Sequence, residues 1–303
     1  MDKLIVTATA NGLNYLPEYV ADVGGLFAQA GLEVTAHARD PWTGVLDDLE
    51  SGGADVALGG LWVPGMYAGM DRKVTVVGQL NHRFPMTIVA RDAVGPVGLD
   101  WLAGKIALAP GAGGSAPYEF TAGLIREAGL DPAATRWVRD LSTAMMIELY
   151  QGGLGDAIVL DLLSASELVA AGHGTIVFSH LDEGGVMPNS VYYVRTDRVD
   201  ELADKVERFV GAVELGMTKI TSGDADDEIA AVLAARWPAK DAALLRAAVD
   251  AMATGGVWDT TVIDPDASDR WMGILLDAGL VTHAPTLTEL TGGHAVEAVG
   301  AAS

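Results

Sequence analysis

Short apolar runs that end in small-residue turns and pass into helical runs recur along this chain. That alternation restricts it to mostly parallel sheets joined by crossover helices. The first unit reads as a strand at 3–8, a polar turn Thr9-Ala10-Asn11-Gly12-Leu13-Asn14-Tyr15, and a helix over 17–29 with Pro17 in its first turn. Strands at 33–38 and 54–58 follow, each leading into a short helix. Ligands of such sheets sit beyond the carboxyl ends of the strands, so Asn14, Tyr15, Gly60 and Trp62 are predicted to share one rim.

The alternation restarts further on. Strands at 74–79 and 86–91 flank the polar segment Asn81-His82-Arg83, and a weakly structured stretch at 92–99 precedes a new strand-turn-helix unit. In that unit Ile106-Ala107-Leu108-Ala109 runs into Gly111-Ala112-Gly113-Gly114-Ser115 and then a helix over 115–128. Glycines let a backbone pass close to a guest, and Ser115 can cap a helix whose free N–H groups favour an anion. A chain of 303 residues exceeds one ordinary core, so two lobes are expected. We place lobe 1 at 1–88 plus 195–303 and lobe 2 at 89–194, with hinge strands near 86–91 and 190–195. From residue 199 onward the pattern is helical and reads as cladding for lobe 1, while 291–303 is expected to fray.

Charge and composition narrow the function. A net charge of -22 offers no basic face for phosphate, which excludes nucleic acid and disfavours an anionic membrane surface. No apolar run reaches the ~18 residues that a membrane helix needs. With no cysteine there is no disulfide, thiolate nucleophile or Cys-ligated zinc. The six histidines lack metal spacing, and no cofactor is called for. The N-terminus enters a strand directly, so as written the chain is expected in the cytoplasm, or outside it if a leader has been removed.

Several side chains are candidates for binding. Gly113, Gly114 and Ser115 can grip a sulfonate, phosphate or carboxylate, or merely connect strand to helix. Arg83 can fork onto a planar anion, with Asn81 beside it, and His82 can donate to that anion or move a proton. Trp62 offers a stacking surface or simply packs. Asp161 ends a buried strand and can hold a ligand donor, act as a general acid or base, or cap the next helix; Ser142 starts another helix on the same side. Asn189 and Tyr192 fall at the return crossing, as ligand contacts or as packing.

The order of these pieces resembles the type II periplasmic binding proteins, specifically the alkanesulfonate, taurine and thiamine-pyrimidine-precursor binding family of ABC transporters. The stretches that carry the resemblance are Tyr15-Leu16-Pro17-Glu18-Tyr19-Val20-Ala21, Ala30-Gly31-Leu32-Glu33-Val34, Leu49-Glu50-Ser51-Gly52-Gly53-Ala54-Asp55-Val56-Ala57, Leu102-Ala103-Gly104-Lys105-Ile106-Ala107 and Ala128-Gly129-Leu130-Asp131-Pro132. It implies an α/β, two-lobed Venus-flytrap, each lobe a mixed, mostly parallel sheet flanked by helices, with a helical C-terminal part. It further implies a solute-binding protein that clamps a small organic anion or polar aromatic ligand between its lobes and hands it to a permease. The family also holds cytoplasmic enzymes, so the alternative is a lyase or decarboxylase using His82 and Asp161. The pyrimidine synthases among them are a poorer match, because this chain has no cysteine cluster and no lysine in a cleft loop for pyridoxal phosphate.

Overall fold

The computed structural model describes residues 1–70, 73–93, 95–111 and 116–294. Its strands, in chain order, are β1 (Asp2–Ala8), β2 (Leu32–Ala38), β3 (Val56–Gly60), β4 (Val74–Gln79), β5 (Met86–Ala90), β6 (Ile106–Ala109), β7 (Arg136–Arg139), β8 (Ala157–Asp161), β9 (Thr175–Ser179) and β10 (Ser190–Arg195). They form two five-stranded sheets, ordered β2-β1-β3-β10-β4 and β7-β6-β8-β5-β9. In each sheet β-strand pairs joined by helices are parallel, and one strand runs against the rest: β10 in the first, β5 in the second. Each unit is thus a mixed sheet flanked by helices.

The chain divides into one unit of Met1–Arg83, Val186–Ala242 and Val249–Ser303, and another of Phe84–Gly185 with Ala243–Ala248. These boundaries correct the expected ones at both crossings. The segment 84–88 belongs to the second unit because β5 pairs with β8 and β9. The segment 186–194 belongs to the first, because β10 pairs with β3 and β4. The strands taken as hinges are thus full sheet members; the chain passes between units before β5 and before β10, and again where Ala243–Ala248 joins the second unit instead of cladding the first. A strand's own residues do not show which sheet it joins; its pairing partners do.

In the first lobe the long helix Val199–Ser222 carries Leu202, Val206, Phe209, Val210 and Val213 at helical spacing, and all are buried. Phe209 stacks on Phe27 at 5.2 Å and meets Tyr192 of β10 edge-on at 5.0 Å, which fixes the helix against the sheet. Helix Leu16–Val23 packs beside it, with Pro17 in its first turn, where a missing N–H costs nothing. In the second lobe, Val89, Leu108, Ile158 and Leu160 of three neighbouring strands pack with Met146 and Tyr150 from helix Thr143–Gln151 and Leu168 from helix Leu162–Ala170. Such near-continuous apolar strands are what a sheet covered on both faces demands. Among the described residues no helix is long and apolar enough to cross a membrane.

Candidate functional site

The first sheet gathers distant residues at one edge. β1 and β3 end there at Ala8 and Gly60, β4 ends at Gln79, and antiparallel β10 begins there at Ser190, opposite Gly60. The turn after β1 therefore lies beside the start of β10. Asn14 Nδ2 is 2.7 Å from Asn81 Oδ1 and 3.5 Å from Ser190 Oγ. Asn81 answers by donating from Nδ2 to the Asn14 carbonyl at 2.8 Å, and Trp258 Nε1 donates to the same carbonyl at 2.9 Å. Asn189 completes the group: its N–H donates to the Asn81 carbonyl at 3.0 Å and its amide Nδ2 lies 3.4 Å from Ser190 Oγ.

The predicted residues divide by what they do in this network. Asn14, Gly60, Trp62 and Asn189 lie together at the rim. Asn81 lies there too, but at 0% exposure with both halves of its amide engaged; it is a strut between the β1 turn and the end of β4. Tyr15 is buried beneath, its hydroxyl 3.2 Å from Thr9 Oγ1. Trp62 folds back over Gly60 so closely that a Cβ there would collide with the indole nitrogen, which explains the glycine. Trp42 meets Trp62 edge-on at 4.8 Å. Its loop is fixed from below, because Arg39 forks onto Asp48, which also accepts from Thr7 at 2.7 Å. The Arg39 bonds hold the Asp48 carboxyl well below the usual carboxylate range.

Tyr192 is placed elsewhere. Side chains alternate along a strand, and its alternation turns Tyr192 away from the rim into the core, fully buried, with its hydroxyl donating to Glu18 Oε2 at 2.8 Å. Burial outweighs that hydrogen bond and the charge of Arg236, and pushes the Glu18 carboxyl up to about 7. His82 and Arg83 close the first unit's side of the first crossing. The His82 N–H donates to the Val257 carbonyl at 2.8 Å, and its own carbonyl accepts from Met187 at 3.1 Å. Burial lowers the imidazole pKa, against the opposing pull of Asp259. Arg83 lies near Gly256, whose φ of 73° is a left-handed turn.

In the second lobe, Ser142 and Asp161 are helix caps. Ser142 Oγ accepts from Met145 N–H at 3.3 Å, and Asp161 Oδ1 accepts from Ser164 N–H at 3.0 Å. Ser142 is exposed and Asp161 half-buried at the carboxyl end of β8, opposite Met86. Gly113, Gly114 and Ser115 lie outside the described residues. Where the chain enters that turn, Gly111 donates to the Leu141 carbonyl at 3.1 Å, and a Cβ on it would meet the Asp140 backbone at 2.9 Å. Behind the following helix start, Glu119 is buried, its carboxyl raised by that burial, with Arg139 at 3.7 Å.

Three rim residues escaped the sequence reading. Ser190 was passed over for its neighbours. Trp42 follows a loop with no periodic signal, and Trp258 is brought in by a segment more than 60 residues beyond β10. A separate cavity of about 500 Å³ opens at the other edge of the first sheet, between Leu46, Leu49, Lys73 and Arg195. Arg195 is already closed onto Asp197 and the Glu50 carbonyl, so it is not poised for a guest.

The two sheets and the rim polar cluster define the class as proteins of the periplasmic-binding-protein fold. The chain belongs to the family described as NMT1/THI5 like, whose match spans residues 13–223. It is 25% identical over 232 residues to the "Putative binding protein YtlA" of Bacillus subtilis (strain 168), covering 75% of this chain and 69% of that protein. Its fold is similar to that of the periplasmic aliphatic sulphonate binding protein SsuA from Escherichia coli, with a TM-score of 0.75 at 13% identity over 96% of this chain and 99% of that one. It is also similar to the alkanesulfonate-binding protein SsuA from Xanthomonas axonopodis pv. citri bound to MOPS, with a TM-score of 0.73 at 14% identity over 97% and 98% of the two chains.

Proposed function

We propose that this chain is the solute-binding protein of an ABC-type importer, and that the carboxyl-end rim of its first sheet forms part of the ligand site. The observation that carries this reading is the convergence of Asn14, Gly60, Trp62 and Asn189 around Ser190. These residues combine hydroxyl and amide groups with an indole face, the mixture suited to a small organic anion or a polar aromatic solute. The family match and the names of the relatives, two of them sulfonate-binding proteins, support the same class. The delivery partner on this reading is an ABC permease.

A thermal-shift titration with small sulfonates, carboxylates and aromatic heterocycles tests the proposal. A cognate solute at about 100 times its Kd stabilises the folded chain by about 2.7 kcal/mol. Trp62→Ala and Asn189→Ala should each weaken that solute by about tenfold, or about 1.4 kcal/mol. A solute that binds both variants as it binds the wild type places the site elsewhere.

A further inference from the structure

At the end of β4 a single amide nitrogen lies within hydrogen-bond distance of two carbonyl oxygens and one ring nitrogen. Gln79 Nε2 lies 3.0 Å from the Thr260 carbonyl, 2.5 Å from the Val262 carbonyl and 3.2 Å from His82 Nδ1. Its Oε1 is buried and has no hydrogen-bond partner. Turning the amide over would set that oxygen against two carbonyl oxygens, so the two carbonyls fix which end is NH2. An NH2 group cannot accept, and a proton on His82 Nδ1 would point at its hydrogens. The Nδ1 position is therefore an acceptor, and the ring proton sits on Nε2.

We infer that Gln79 locks His82 in the neutral Nε2–H tautomer, making this ring a fixed hydrogen-bond donor beside the rim and not a proton carrier. The His82 side chain is 14% exposed, and its Nε2 lies 4.0 Å from the carboxylate of exposed Asp259. A general base would need the Nε2 lone pair, which this tautomer does not offer. Protonating Nδ1 instead would break the Gln79 contact. The charged groups that bear on the ring are Asp259 and Asp264, which favour its cation, and Arg83, which opposes it. The donor role rests on the solute-binding reading and asks for an acceptor atom on the solute. The tautomer does not depend on that reading.

Long-range proton–nitrogen NMR of the full chain, labelled with ¹⁵N-histidine, reads the tautomer without any ligand. Only six histidines contribute, and His82→Gln identifies the His82 ring by loss of its signals. The expected wild-type result at pH 7 is a single neutral Nε2–H tautomer. Gln79→Met removes the donor, and the ring should shift toward an averaged pattern and titrate at higher pH. An Nδ1–H ring or an imidazolium in the wild type at pH 7 overturns the assignment. A pattern unchanged in Gln79→Met overturns the role given to Gln79. Failure of the solute reading would show in the thermal titration and leave these spectra untouched.

Discussion

Among the ionisable side chains that the two lobes bury, Glu18 of the first and His180 of the second are of opposite kind. The first hides an acid, Glu18, 3% exposed and pushed up to about 7; the second hides a base, His180, fully buried and pushed down to about 3. Burial penalises the charged form in both, so the signs of the pH response differ. For Glu18 the folded pKa lies above the unfolded one, so stability falls as pH rises from about 4.5 to 7, where the unfolded chain has released a proton that the folded lobe keeps. For His180 the folded pKa lies below the unfolded one, so stability falls as pH drops below about 6.5, where the unfolded chain binds a proton that the folded lobe refuses. Between about pH 4.5 and 6.5 the contributions of Glu18 and His180 should change in opposite directions. The contrast teaches that neutral packing in either core is maintained at the expense of one end of the pH range.

The largest expected effect tests the basic side of this contrast. His180 packs among Phe84, Phe120 and Phe178 and lies 2.8 Å from Thr121 Oγ1, whose hydroxyl also reaches the Pro117 carbonyl. Wild type should lose roughly 4 kcal/mol from this group by pH 3.5, at about 1.4 kcal/mol per pH unit. His180→Phe should remove that slope in urea unfolding followed from pH 7 to 3.5; equal slopes would contradict the account. Next in size, Glu18→Gln keeps an acceptor for Tyr192 while removing the charge. It should stabilise the chain by roughly 3 kcal/mol at pH 8 and by almost nothing at pH 4. A gain of the same size at both pH values would mean that packing, not ionisation, governs the site.

Two smaller effects sharpen the comparison at the rims. Asn81→Ala removes two hydrogen bonds to Asn14, whose carbonyl keeps Trp258, and should cost roughly 2 kcal/mol in chemical denaturation. In the second lobe the candidate residues are caps at more open positions. Ser142→Ala should cost about 1 kcal/mol, whereas Asp161→Asn, which still caps, should change stability by a few tenths at most. A larger loss for Ser142→Ala than for Asn81→Ala would reverse the distinction between a strut and a cap.

Much of this was legible in the sequence. The strand-turn-helix rhythm gave two α/β lobes, and helical spacing at Leu202, Val206, Phe209, Val210 and Val213 marked a buried face that the structure confirms. Capping was one of the readings open for Asp161, and Ser142 was placed at a helix start. What was not legible depends on contacts distant in sequence. The face that Tyr192 presents follows from the pairing of β10 with β3 and β4, which the residues of β10 do not reveal. That pairing also moved the second lobe boundary, and the pairing of β5 with β8 and β9 moved the first. Trp258 reaches Asn14, and Gln79 reaches Thr260 and Val262, only because a segment late in the chain returns to the end of β4.

The most direct test of a solute site on the first lobe's rim is native mass spectrometry of freshly purified protein, with the mass repeated after denaturation. The account predicts a small organic molecule retained by the wild type, released on unfolding, and depleted in Trp62→Ala and Asn189→Ala. Equal retention of the same molecule by the wild type and both variants would contradict it.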